Sequence, residues 1–238
     1  MSEQQYSLED LQYLMSRLRK PETGCPWDLK QSYHTICAST IEEAYEVVDA
    51  IEHKDYDHLK EELGDLLFQV IFYSQLAREE KRWDMTDVVH GITEKLLRRH
   101  PHVFPEGTLQ SERDASSGLN DSDIKASWEK IKSEERGEKG KSGILDDVPR
   151  ALPAMTRAAK LQKRAAQIGF DWPDVPPVID KLEEEISEFK EAVASENSDH
   201  MEEELGDMLF TCVNLARKLG KDPETLLRQA NSKFEHRF

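Results

Sequence analysis

A nine-residue segment that occurs twice constrains this chain more than any other feature. KEELGDLLF at 60–68 returns as EEELGDMLF at 202–210, and the cores 61–68 and 203–210 differ at one position. The surrounding order repeats too. TIEEAYEVVDAI at 40–51 and KLEEEISEFKEAV at 181–193 lie upstream of the two copies, and EKLLRRH at 94–100 and SKFEHRF at 232–238 lie downstream. A tryptophan loop precedes each unit, CPWD at 25–28 and GFDWP at 169–173. A chain organised this way is built from two copies of one supersecondary unit.

Apolar periodicity makes those units helical. Leu8, Leu11, Leu14, Met15 and Leu18 predict a first helix over about 7–20, and Ile36, Ile41, Ala44, Val48 and Ile51 a second over about 33–53. Further helices are expected at about 56–81, 124–138, 150–167, 178–195, 199–219 and 223–236. Another starts at Asp84, a capping residue with Asp87 at the third helical position, and ends near His100 before Pro101. The fold class is therefore all-α, with amphipathic helices burying their stripes in small bundles. Unburied leucine and phenylalanine stripes make a homodimer the expected assembly.

Charge narrows the function classes. With 48 acidic against 32 basic residues the net charge is -16, a field that repels long nucleic acids. Phosphorylated small molecules stay open, because a divalent cation bridges carboxylates and phosphates. No run approaches the roughly 18 apolar residues of a spanning helix. The segment MSEQQYSLEDLQ lacks a basic region followed by an apolar stretch, so a cytoplasmic location without membrane association is expected. Cys25, Cys37 and Cys212, odd in number and widely spaced, fit neither a disulfide framework nor a thiolate site.

The chemistry concentrates in the acidic helices. Glu185 and Glu188 are three apart on one helix, as are Glu204 and Asp207 on the next, so each pair shares a face and antiparallel helices turn the pairs together. Four converging carboxylates repel unless protonated or bound to a cation, and an all-oxygen set suits Mg2+, with Mn2+ as a substitute. Glu43, Glu46, Glu62 and Asp65 form the matching set in the first half, a possible second metal site. The plainer alternative is that these are solvent-facing acids paired with lysines. Against it stand the repetition of both motifs in one order and a glycine inside each second motif, Gly64 and Gly206. A mid-helix glycine costs about 1 kcal/mol relative to alanine and makes sense where a backbone or ligand approaches closely. Di-iron bundles use Glu-x-x-His, and here aspartate stands where histidine is required. Lys233 and Arg237, four apart like Lys95 and Arg99, are suited to phosphate oxygens. There is no GxxxxGK[ST] segment, which disfavours a P-loop enzyme.

Together with GCPWD at 24–28, RRHPHVF at 98–104, WEKIKSEER at 128–136 and GFDW at 169–172, these motifs closely resemble the MazG family of nucleoside triphosphate pyrophosphohydrolases, over essentially the whole chain. The resemblance implies Mg2+-dependent hydrolysis of ribo- and deoxyribonucleoside triphosphates to monophosphate and pyrophosphate, broad specificity, a homodimer and a housecleaning role. It implies a mainly structural N-terminal MazG-like domain at 1–105, a flexible linker with a short helix at 106–149, and a catalytic domain at 150–238. The metal ligands carried over are Glu185, Glu188, Glu204 and Asp207. Lys181, Glu184, His200, Glu203, Asp207, Asn231, Lys233 and Arg237 are the nucleotide-binding set, and Glu184, Glu185, Lys233 and Arg237 the catalytic one. Asn231 has Thr93 as its counterpart, which fits a C-terminal active site. Relatives of this type continue into an acidic, aromatic tail that helps enclose the base, whereas this sequence stops at Phe238; the expectation is either a pocket lacking that tail or one closed by Trp172 and a neighbouring subunit, with poor base selectivity as the consequence. The competing reading is a helical regulatory module that binds nucleotide without turnover and is indifferent to loss of Glu204 or Asp207.

Overall fold

The computed structural model describes residues 5–114, 118, 120–138 and 143–238, and among them the regular structure is helical, with no strand. The chain divides into two compact units, Met1–Ile124 and Lys125–Phe238. Parts of the linker expected at 106–149 fall outside the described residues.

The first unit carries α1 (Leu8–Leu18), a short 3-10 turn (Asp28–Lys30), α2 (Cys37–His53), α3 (Tyr56–Glu79) and α4 (Met85–Arg99). Its helix starts are locally encoded. Ser7 and Asp10 close a capping box on α1, Asp55 caps α3, and Asp84 with Asp87 closes the box foreseen for α4. The second helix begins four residues later than its periodicity suggested. Ser32 and Thr35 bind each other's backbone amides at 2.8 and 3.4 Å, a capping-box exchange around a turn at 33–36 that leads into the helix. After α1 the chain doubles back so tightly that a Cβ on Gly24 would sit 2.2 Å from the Leu18 carbonyl oxygen, so only glycine fits. Met15, Ile36, Ile71, Phe72, Leu76 and Met85 form the core, which α3 crosses centrally.

The division between units falls within α5 (Asp121–Glu138). The second unit then contains α6 (Ala154–Ala166), α7 (Pro176–Ala194), α8 (Ser198–Lys218) and α9 (Pro223–Glu235). The expected start of α6 at 150 gives way to Ala154, because the residue before Pro153 is disfavoured in helical conformation. Here α7 and α8 pack along their length as a hairpin, and α6 packs on α8 and α9. Its fully buried apolar side chains are small, Val178, Ala192, Val213 and Ala216 among them.

Candidate metal and nucleotide site

Each acidic constellation is held by a helical hairpin with one residue in the left-handed region at its turn, Lys54 (φ 59°) between α2 and α3 and Glu196 (φ 54°) between α7 and α8. Position relative to these turns sets which side chains meet. Glu188 and Glu204 are equidistant from Glu196, eight positions away on either side, and Glu46 and Glu62 are likewise eight from Lys54. One turn further out, Glu185 stands across from Asp207 and Glu43 across from Asp65.

In the second unit, one carboxylate oxygen each from Glu185, Glu188 and Glu204 lie within 4.8 Å of one another. Glu185 and Glu204 are buried, and Glu188 is half-buried. Asp207 is exposed, one turn beyond Glu204, and is not among the three. Lys181 Nζ lies 3.0 Å from both Glu184 and Glu185, and hydrogen bonds to these two carboxylates raise its pKa. His200 Nε2 lies 2.9 Å from Glu204 Oε1. The other oxygen, Oε2, is buried and has no hydrogen-bond partner among the described residues. Burial, and then the Glu204 carboxylate, pushes Glu188 above the usual carboxylate range.

The first unit repeats this geometry with one change. Glu43, Glu46 and Glu62 converge within 4.8 Å, and His58 Nε2 lies 2.6 Å from Glu62. Burial, followed by Asp65, Glu46 and Glu62, raises the Glu43 pKa; burial and then Glu46 raise that of Glu62. Ser39 occupies the place that Lys181 takes in the second unit, four residues before the first glutamate.

These donors fit a hard divalent cation. All are carboxylate oxygens, they are concentrated enough to raise one another's proton affinity, and the orphaned Glu204 oxygen needs a partner that a cation supplies. The pattern across α3 and α8, and the hairpins before them, matches the family model described as the MazG nucleotide pyrophosphohydrolase domain, at residues 31–104 and 177–238. The chain belongs to that family. It is 51% identical to the nucleoside triphosphate pyrophosphohydrolase of Escherichia coli (strain K12), over 97% of this chain and 85% of that protein. It is 43% identical to the nucleoside triphosphate pyrophosphohydrolase/pyrophosphatase MazG of Thermotoga maritima, over 100% of this chain and 86% of the relative. A Mycolicibacterium smegmatis nucleoside triphosphate pyrophosphohydrolase is 32% identical over 71% of this chain and 49% of its own length.

The remaining residues expected in this MazG site are distributed along α7 to α9. Glu203 is exposed beside Glu204, and Asn231, Lys233 and Arg237 are exposed on or just beyond α9. Two features escaped sequence reasoning. His200 is expected among the nucleotide contacts and His58 carries no expectation, yet each reaches a buried glutamate; their recurrence four residues before Glu62 and Glu204 is the available signal. The second is the anchoring of the tryptophan loops. Arg217 and Lys218 at the end of α8 both bind Asp171, and Lys218 also donates to the Trp172 carbonyl. In the first unit, buried Arg19 binds Glu79 at the end of α3 (2.7 Å) and donates to the Asp28 carbonyl. At Gly64 and Gly206 a Cβ would meet nothing within 4 Å, so no described part of this chain makes the close approach expected there of a backbone or ligand.

Proposed function

We propose that this chain hydrolyses nucleoside triphosphates to the monophosphate and pyrophosphate in a Mg2+-dependent reaction, with Mn2+ able to substitute, and that the C-terminal unit is the principal active site. The observation that carries this reading is the buried, unpartnered Glu204 oxygen within the Glu185–Glu188–Glu204 cluster. Glu185, Glu188 and Glu204, with Asp207 one turn on, would hold the metal. When bound, it neutralises triphosphate charge and makes phosphorus more open to attack.

The chain's own groups supply the rest. Glu184 is exposed beside Glu185 and takes the proton from the attacking water, or Glu185 does so from within the cluster. Lys181 offers its ammonium to the phosphates. Lys233 on α9 and Arg237 just beyond its end stabilise charge on the departing pyrophosphate. His200 fixes the Glu204 carboxylate, and Glu203 and Asn231 complete the nucleotide contacts.

Broad specificity across ribo- and deoxyribonucleotides follows, because the groups assigned here address metal and phosphates and none reads a base edge. A housecleaning role in the cytoplasmic nucleotide pool accords with that. The N-terminal unit, at 1–105 of the proposed domain plan, is mainly structural, 106–149 is the linker, and 150–238 is catalytic. A homodimer is supported by exposed stripes of Leu63, Leu67 and Val70 on α3 and Leu205, Leu209 and Phe210 on α8, each beside a glycine that leaves room for a partner helix. No described helix is long and apolar enough to cross a membrane. Product analysis on a panel of ribo- and deoxyribonucleoside triphosphates, with and without Mg2+, tests the reading. Monophosphate and pyrophosphate from several bases, only with metal, are expected; orthophosphate release or no turnover would refute it.

A further inference from the structure

The acidic clusters of the two units differ at one position that alters their charge. In the C-terminal unit Lys181 Nζ is 3.0 Å from Glu185 Oε1, on a carboxylate whose side chain is 6% exposed and which belongs to the three-glutamate cluster. The N-terminal cluster has Ser39 there. A lysine ammonium is a compact point charge on a flexible four-carbon stem. It therefore satisfies a buried carboxylate when nothing else does, and it can move to another anion without any shift of the backbone. Glu185 is held by a charge that competes with a divalent cation for the same carboxylate.

We propose that Lys181 is a placeholder cation: it neutralises Glu185 in the ligand-free site, opposes binding of a divalent cation alone, and is drawn off when a triphosphate arrives. This rests on the assignment of Glu185, Glu188 and Glu204 as the metal-binding group. Lys181 thereby couples loading of metal to loading of nucleotide, as one positioning charge shared between two anionic partners. Coupling of this kind is reciprocal, so the charge that weakens binding of the cation alone also makes the triphosphate strengthen it. Glu184, at 3.0 Å and more exposed, is the resting place that keeps Lys181 near the site after it leaves Glu185.

The test is Mg2+ and Mn2+ affinity, without nucleotide, by calorimetry on the full chain carrying Glu62→Gln, so that the N-terminal cluster does not contribute. Lys181→Met is compared with Lys181 retained, and Glu204→Gln identifies binding at this site. The expected result is Glu204-dependent cation binding that tightens about tenfold in Lys181→Met, the effect of removing one nearby positive charge. A residue that only contacted phosphate would leave that affinity unchanged. Glu204-dependent binding that is unchanged or weaker in Lys181→Met overturns the placeholder role and leaves the metal assignment standing. Absence of Glu204-dependent binding in both proteins overturns the metal assignment and the role together.

Discussion

His200 donates to Glu204 across one turn of α8 at 2.9 Å, and His58 stands in the same relation to Glu62 on α3 at 2.6 Å. The bond occupies Oε1 of the buried Glu204 carboxylate and leaves Oε2 buried without a hydrogen-bond partner among the described residues. Groups that orient a ligand in this way typically contribute 10- to 100-fold to metal affinity or activity. His200→Ala should therefore lower turnover by about that factor and raise the Mg2+ concentration needed for half-maximal rate. Initial rates over a Mg2+ titration check both, and an unchanged metal requirement would exclude an orienting role.

Proton competition at the carboxylate clusters gives a pH dependence with a definite sign. Glu43, Glu62 and Glu188 have pKa values raised in the metal-free fold, in each case by burial first and neighbouring carboxylates next. A carboxyl whose folded pKa lies above its unfolded value stabilises the fold as pH falls through the raised value, and burdens it at neutral pH. Metal binding relieves that burden where the groups are ionised and is opposed where they are protonated. Thermal unfolding with saturating Mg2+ should show a gain of roughly 5 °C or more at pH 8, shrinking toward pH 5. An equal gain at both values would contradict it.

Asp171 tests the anchoring of the tryptophan loop. Burial alone would push its carboxyl up, but hydrogen bonds from Arg217 and Lys218 outweigh that and hold it below the usual range. The three side chains keep only 13–19% exposure. Asp171→Asn should cost about 2 kcal/mol at pH 7, less than removal of one partner from a fully buried pair. With a depressed folded pKa, this contribution is complete above the unfolded value of about 3.9 and is lost as pH falls through the folded one. The stability gap between Asp171→Asn and the parent protein, from denaturant melts, should close in strong acid and stay constant from pH 6 to 8.

Gly206 separates helix stability from assembly. Nothing in the described chain lies near its missing Cβ, so Gly206→Ala should stabilise α8 by about 1 kcal/mol if the chain works alone. Beside exposed Leu205 and Leu209, the same methyl should loosen a dimer whose partner helix packs there. Sedimentation should show dissociation at lower dilution for Gly206→Ala. Unaltered self-association with a plain gain in stability would remove the glycine from the interface.

What the sequence disclosed, and what it withheld, follows from how local each interaction is. The Asp84–Asp87 capping box spans three residues and was readable directly. The pairing of Glu188 with Glu204 was nearly as accessible, because two i, i+3 pairs on consecutive helices with a short turn leave little freedom. The expected start of α2 near 33 falls on a turn that Ser32 and Thr35 box, and the regular helix begins one turn later at Cys37, a boundary that apolar periodicity does not resolve. The Asp171–Arg217 clamp joins residues 46 apart and has no local signature. His200 is expected to meet nucleotide, and its contact with Glu204 is legible only from the repetition at His58, four residues before Glu62. Gly64 and Gly206 stand out in the sequence for a close approach, and the described chain itself does not make one.

The most direct measurement of the central claim is Mg2+-dependent pyrophosphate release by Glu204→Ala and Glu62→Ala, two substitutions at equivalent positions, measured side by side with circular dichroism to verify folding. Loss of at least a hundredfold in Glu204→Ala, with Glu62→Ala within a few-fold of the parent protein, is the predicted result, since removing a metal ligand costs several kcal/mol of transition-state stabilisation. Retained turnover in a folded Glu204→Ala protein, or collapse of activity in Glu62→Ala alone, would contradict it and move the active centre to the N-terminal hairpin.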